Sequence, residues 1–271
     1  MKTVLSDNPP QSPPEEKLQA TTVWSFPERG KWATHSAKYR GNWAPQIPRN
    51  IIQLYSQEGD SVLDPMVGSG TTMIEAKLLG RKGIGFDIHP EVVELSRKAC
   101  DFSTDNGEFQ PKIELGNARD LKKIKDDSVD LIATHPPYLN IVRYGEKEVD
   151  GDLSAISNLT KFCDQIEAVA QECFRVLKPG KYCAILIGDT RRRRHFVPLA
   201  FNVMQRFLKA GFILKEDVIK LQHNCTTTRY WGAQAKDFLL IMHEHLFVFR
   251  KAMFEESQHI FSDSRILKYH N

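Results

Sequence analysis

The chain has 271 residues, of which 41% are hydrophobic and 26% charged, enough to bury a full core in one elaborated domain or one domain with a small appendage. No apolar run approaches the ~20 residues that span a bilayer and no secretory signal opens the sequence, so no membrane partner and a cytoplasmic location are expected. Five cysteines without a C-x-x-C pair exclude a disulfide framework and the usual zinc spacing, and a net charge of +3 permits a polyanionic partner without requiring one.

Residues 1–20 are rich in Pro, Ser, Gln and Glu and read as a disordered arm; 21–250 read as a single domain and 251–271 as a polar tail, helical or mobile. Trp24 to Trp43 is aromatic and basic, unusual for a linker and suited to receiving a planar or anionic ligand. Pro48–Ser56 has helical spacing. Ser61–Leu63 reads as a strand, followed by a glycine loop and a helix over Thr71–Leu79 that closes at Gly80. Strands are then predicted at 83–86, 113–115 and 129–134, with a helix at 90–100 between the first two. A long amphipathic helix over 162–177 stops at Lys178-Pro-Gly180, and 182–187 is an apolar strand of the buried parallel kind. A helix over 197–210 and strands over 212–222 and 238–249 complete the pattern, the last two forming an antiparallel edge pair. The alternation predicts an α/β fold, a doubly wound and mostly parallel sheet, with ligands beyond the carboxyl ends of its strands.

The loop Asp64-Pro-Met-Val-Gly68-Ser-Gly70-Thr-Thr72 lets backbone approach a ligand at a helix N-terminus. It lacks the third glycine of a dinucleotide fingerprint and the Gly-Lys of a phosphate loop, so nicotinamide and nucleoside triphosphate readings fall. An adenosine-containing cofactor without a phosphate remains. Asp87, at the end of the next strand and followed by Ile88, is placed to accept from ribose hydroxyls, and the turn carrying Asn117 and Ala118 to read an adenine edge. Thr134-His135-Pro136-Pro137-Tyr138 closes another strand. Its prolines fix φ and leave the Pro136 carbonyl free for a substrate amine, and Tyr138 can stack on a base drawn out of a duplex.

Together these segments resemble the amino-methylating (cytosine-N4 and adenine-N6) DNA methyltransferases, with their D-P-F-x-G-S-G-T-T cofactor loop and [D/N/S]-P-P-[Y/F] catalytic motif. The resemblance covers roughly Trp24 to Ile187. It implies the class I S-adenosylmethionine-dependent fold, S-adenosylmethionine as cofactor and double-stranded DNA as partner. It leaves room for a cognate restriction endonuclease, and for a monomer or a homodimer. Carried over by position, His135, Pro136, Pro137 and Tyr138 are catalytic, and Asp64, Pro65, Met66, Gly68, Gly70, Thr71, Thr72, Asp87, Ile88, Asn117 and Ala118 bind the cofactor. His35, Tyr39, Asn42 and Trp43 resemble the family's extra cofactor motif, ahead of the loop in a circularly permuted order.

His135 departs from the family's Asp, Asn or Ser and decides neither base. The Trp24-Ser-Phe-Pro27 segment and the following Tyr-x-Gly-x-Trp resemble the cytosine-N4 branch of the family, a resemblance that favours cytosine N4, with adenine N6, RNA guanine N2 or an inactive DNA-binding subunit as alternatives. Arg191, Arg192, Arg193 and Arg194 suit phosphate contacts; Arg143, in a 139–160 loop placed to clamp DNA, and Arg229, Tyr230 and Trp231, in a polar and aromatic stretch of the kind that contacts bases within 190–235, are further DNA-binding candidates. His243 and His245 share one strand face, but without an identified third ligand no metal is expected.

Overall fold

The computed structural model describes residue 13 and residues 18–104, 109–142, 149–224 and 237–265. Ten strands and five α-helices run in chain order as β1 (Val23–Ser25), α1 (Gln46–Tyr55), β2 (Ser61–Asp64), α2 (Thr71–Leu78), β3 (Lys82–Asp87), α3 (Pro90–Ala99), β4 (Lys112–Leu115), β5 (Val129–Thr134), α4 (Leu159–Val176), β6 (Leu177–Ile187), β7 (Thr190–Arg192), β8 (His195–Val197), α5 (Leu199–Ala210), β9 (Ile213–Leu221) and β10 (His243–Arg250). Eight strands form one sheet in the order β1-β9-β10-β6-β5-β2-β3-β4, and β7 and β8 form a separate hairpin. Because β10 pairs antiparallel with both β6 and β9 while every other pairing is parallel, β10 alone runs against the other seven.

Period-2 alternation sends the strand side chains to two cores. Leu131, Ala133, Ala184 and Leu186 face α1 and its Ile47, Ile51 and Ile52, whereas Ile132, Cys183, Ile185 and Ile187 pack with Phe162 and Ile166 of α4 and Val203 and Phe207 of α5. Every residue of β5 is buried, as expected of a strand covered on both faces. Full burial of one such aliphatic side chain contributes about 1.5–3 kcal/mol. A smaller core joins Met73 and Ile74 of α2 to Val93 of α3.

The sequence reading holds for the central alternation and changes at the margins. Lys178-Pro-Gly180 lies inside β6, which follows α4 directly. Strand β5 accommodates the extra residues by a register shift between Val129 and Leu131, Gly180 takes φ +79, and Lys178 pairs with Asp130 at 2.7 Å. The last strand begins at His243 instead of Phe238, and the antiparallel pair is not at the edge, because β1 adds outside β9. Lys251, read as the start of a tail, is buried, its Nζ donating to Asp127 Oδ1 and to the Phe174 carbonyl, both at 2.6 Å. Of the expected arm, Gln19 is tied by its N–H to Asn50 Oδ1 at 2.9 Å; residues 1–12 and 14–17 lie outside the described residues.

Candidate active site

The chain leaves β2 for β3 on one side and returns to β5 on the other, so the carboxyl ends of β2 and β5 flank the topological switch point. Asp64 ends β2 and Thr134 ends β5, and the Thr134 hydroxyl donates to Asp64 Oδ1 at 2.7 Å. Asp64 also accepts from the Thr72 hydroxyl at 2.5 Å and the Met66 N–H at 3.1 Å. Burial pushes its carboxyl up to about 6 against the opposing pull of these three donors. Gly70, at φ +86, caps α2; a Cβ there would stand 2.6 Å from Ser96 Oγ, so glycine is what lets α2 start against α3.

Beyond this point opens a cleft with about 760 Å³ of empty space, part of it open to solvent. Of the residues expected at a cofactor, Tyr39, Asn42, Trp43, Asp64, Pro65, Met66, Gly68, Thr71, Asp87, Ile88, Asn117 and Ala118 line it. Asp87 is oriented by the N–H groups of Gly68 and His89, each at 3.1 Å, which leave lone pairs on both carboxylate oxygens. Three expected residues stand behind the wall. Gly70 and Thr72 are spent on the helix start and on Asp64. His35 Nε2 donates to the buried Glu75, 2.6 Å away, where Trp32 Nε1 (2.6 Å) and Arg49 Nη1 (2.9 Å) also converge. A carboxylate buried in this helix needs several donors, and His35 serves as one of them. His89 and Asp152, which sequence reasoning did not single out for the cleft, meet at 3.2 Å and join its lining; residues 63 positions apart carry no local signal of such a pair.

A second, open cavity adjoins the first and shares Gly41, Asn42, Trp43 and His135 with it. The catalytic-motif segment sits on this common wall. Pro137 faces the cleft, Tyr138 the second cavity and His135 both, while Pro136 is buried and lines neither. His135 stacks on Trp43 with centroids 5.7 Å apart and planes at 21°. Its Nε2 lies 2.7 Å from the Tyr138 hydroxyl, which donates to Glu244 Oε1 at 2.8 Å, and Glu244 Oε2 accepts from Lys220 Nζ at 2.8 Å. Burial would raise the Glu244 carboxyl, but the Lys220 ammonium, with the hydrogen bonds donated by Lys220 and Tyr138, brings it below its ordinary value, so it is an anion. Burial also drives His135 down to about 4, with Lys220 and Arg29 adding to the effect against Glu244. The chain of donors then has one direction. Tyr138 gives its proton to the carboxylate and accepts from Nε2–H of a neutral imidazole, whose Nδ1 is left as an acceptor.

Arg29 also lines the second cavity. Its Nη1 donates to the Asn42 carbonyl at 3.3 Å, while Nε and Nη2, the paired donors along one guanidinium edge, are buried without a partner among the described residues. Neither Arg29, Lys220 nor Glu244 was singled out from sequence, since each comes from a segment remote from the Pro-Pro-Tyr motif.

The arginine run forms the β7–β8 hairpin, with Arg193 (φ +48) and Arg194 (φ +67) as its two-residue turn. Arg191 donates to the Leu239 carbonyl at 2.7 Å, Arg192 to the Ser157 carbonyl, and Arg194 pairs with Asp237 at 2.9 Å. Arg143, Arg229, Tyr230 and Trp231 lie outside the described residues, but the flanking Ile141, Val142, His223 and Asn224 line the second cavity.

A family model described as DNA methylase matches residues 5–98 and 129–270. The chain belongs to this DNA methylase family. Among similar proteins, the Type II methyltransferase M.HpaI of Haemophilus parainfluenzae is 52% identical over 82 residues, covering 30% of this chain and 26% of that protein. The tRNA (guanine(10)-N2)-dimethyltransferase of Methanothermobacter thermautotrophicus is 35% identical over 111 residues, 40% of this chain and 32% of that protein. The chain thus spans less than half the length of the curated relatives it matches. A SAM-dependent methyltransferase of Methanosarcina mazei superposes with a TM-score of 0.51 at 18% identity, over 75% of this chain and 97% of that one, which bears on the fold alone. The fold is the class I methyltransferase type, and membership of the DNA methylase family implies S-adenosylmethionine as cofactor. The cleft fits that group: Asp87 retains acceptor capacity for ribose hydroxyls, Asn117 stands beside it, and Met66, Ile88 and Ala118 supply apolar walls. Among the described residues no helix is long and apolar enough to cross a membrane.

Proposed function

We propose that the chain methylates the exocyclic amine of a DNA base drawn out of the duplex, with cytosine N4 as the target. The observation that carries this reading is the meeting of two cavities at one wall made of Trp43, His135 and the Pro-Pro-Tyr segment. One cavity suits the cofactor and the other is open to a planar substrate beside Tyr138. The bound cofactor supplies an electrophilic methyl group.

The chain's own residues hold the amine. An exocyclic amine is a weak nucleophile because its lone pair is delocalised into the ring, so acceptors that draw on its N–H groups favour a pyramidal nitrogen as charge develops. His135 Nδ1 is such an acceptor, fixed by the Tyr138–Glu244–Lys220 chain. The histidine thereby takes the place of the family's usual Asp, Asn or Ser.

Arg29 supports cytosine over adenine. Its Nε and Nη2 are two parallel donors without a partner among the described residues, buried at the cavity wall and brought to a base by a turn of the side chain, and cytosine presents two adjacent acceptors, N3 and O2, next to its amine. Adenine presents only N1 there, followed by a carbon. The 139–160 and 190–235 segments border the same cavity and are proposed to read the flanking sequence.

The test is incubation of unmethylated DNA with isotopically labelled cofactor, nucleoside digestion and mass spectrometry, with Tyr138→Ala as control. N4-methylcytosine that disappears in the variant supports the reading, and N6-methyladenine keeps the mechanism but refutes the base. The similarity to a tRNA guanine-N2 enzyme favours a second reading. Label appearing in tRNA and not in DNA would replace the first by the second.

A further inference from the structure

On the opposite face of β10 from Glu244, two histidines and an aspartate converge away from both cavities. Asp189, in the turn between β6 and β7, and His243 and His245, at the start of β10, each bring one ligand atom within 4.8 Å of the others. His245 Nδ1 is 3.0 Å from Asp217 Oδ1, so this ring nitrogen carries a proton, and in the neutral ring Nε2 presents a lone pair. Nε2 points at Asp189 Oδ2 from 3.7 Å, beyond hydrogen-bond range. Asp189 Oδ1 accepts from the Ala200 N–H at 2.8 Å at the start of α5, but Oδ2 has no hydrogen-bond partner among the described residues, although the side chain is only 1% exposed.

An unpaired carboxylate oxygen facing an imidazole lone pair in a buried site is unfavourable unless a cation lies between them. Two donor atoms bound at about 2.1 Å to one tetrahedral ion stand about 3.4 Å apart, so the His245–Asp189 pair at 3.7 Å is already near that spacing, while His243, with all three ligand atoms within 4.8 Å of one another, closes the remaining distance by turning its partly exposed side chain. The Asp217–His245 bond is also the arrangement by which a carboxylate fixes the tautomer of a metal-ligating histidine. We propose that Asp189, His243 and His245 form a site for one zinc-class divalent cation, with Asp217 positioning His245 and the fourth position open to solvent beside half-buried His243. A histidine pair on one strand face lacked a third ligand in the sequence; the β6–β7 turn supplies it. A bound ion would tie the base of the arginine hairpin to β10.

The experiment is titration of chelator-treated full-length protein with cobalt(II) and then zinc, followed by visible absorption and thermal melting. Expected are the d–d bands of a tetrahedral site saturating at one equivalent, displaced by zinc, with a melting temperature raised by zinc. His243→Ala and Asp189→Asn should abolish both effects, and Asp217→Asn should weaken binding about 10- to 100-fold. His243→Ala removes a partly exposed side chain, so its melting temperature without metal should match the parent and separate lost binding from misfolding. The proposal is overturned if no band develops by one equivalent, or if His243→Ala binds as the parent does. It is equally overturned if ¹⁵N spectra find the His245 ring doubly protonated at neutral pH with zinc present, since the two aspartates then hold an imidazolium and no metal.

Discussion

Tyr138 and Glu244, 106 positions apart, meet at 2.8 Å with the phenol as donor, and that contact fixes which nitrogen of the neutral His135 ring carries the proton. Tyr138→Phe keeps the ring and deletes the relay. Nε2–H then loses its acceptor, and the imidazole is free to exchange tautomers. We expect kcat to fall about 10- to 100-fold, the effect of one hydrogen bond to a charged network, while the cofactor dissociation constant stays within twofold because Tyr138 lines only the second cavity. Equal loss of cofactor binding, measured by calorimetry, would show that the tyrosine supports the first cleft instead.

Burial of His135 sets the pH profile. His135 is held down to about 4, so it remains a neutral acceptor through the neutral range. The kcat profile should therefore lack an inflection near the ordinary histidine value of about 6.5 and fall only toward pH 4. Because the folded pKa lies below the unfolded one, the unfolded chain takes up the proton first. The contribution of His135 to stability is complete above about pH 6.5 and is lost as pH falls toward 4.

Asp64 shows the opposite linkage. Its carboxyl is raised to about 6 by burial, so the folded chain binds the proton more tightly than the unfolded one. Stability is greatest below the unfolded value near 4 and declines by about 3 kcal/mol as pH rises through 6. In Asp64→Asn the amide can donate to Thr72 Oγ1 and accept from Thr134 and Met66, and the titration disappears. Urea unfolding at pH 5 and pH 8 should give a stability gain for the variant that grows with pH. A pH-independent difference would refute the raised carboxyl.

Gly188 packs under the Tyr138 ring. A Cβ built there would lie 2.8 Å from Tyr138 Cε2 and 3.4 Å from Glu244 Cγ. Gly188→Ala should therefore shift the tyrosine ring and lower kcat about 10-fold without changing cofactor affinity, since Gly188 borders neither cleft loop nor Asp87. An unchanged kcat would mean that the ring tolerates displacement and that stacking does not depend on its seat.

The parts legible in the sequence were those encoded locally. The glycine loop, Asp87 and the Pro-Pro-Tyr segment each combine a strand end with a turn whose residue types are dictated by backbone geometry, and the structure brings all three to the switch point. Strands β1, β7 and β8, each of three residues, are too short to carry a period. The polar partners were also hidden. Glu244 sits between two histidines on β10, and only the pairing of β10 with β6 and β9 reveals that it faces Tyr138 and Lys220 while the histidines face α5. His35 was misplaced for the complementary reason: nothing local announced that Glu75, within a helix, would be buried and would need its donors.

The arginine hairpin offers a separation of stability from binding. Arg193 and Arg194 both occupy the left-handed region, which costs a side-chain-bearing residue about 1 kcal/mol and which glycine adopts freely. Arg194 is paired with Asp237, whereas the exposed Arg193 side chain at the tip has no bonding partner among the described residues. On the proposed DNA reading, Arg193 is thus the member of the run most available to a phosphate. Arg193→Gly should raise the melting temperature by relieving the turn, yet weaken DNA binding and reduce the slope of log affinity against log salt by about 0.9, the value for one phosphate contact. Arg191→Ala should do the reverse in kind, loosening the hairpin through loss of its bonds to the Leu239 carbonyl. Fluorescence anisotropy with a labelled duplex over a salt series checks both. An unaltered slope in Arg193→Gly would place the DNA backbone elsewhere, because a cation that contacts phosphate cannot be removed without releasing fewer counterions.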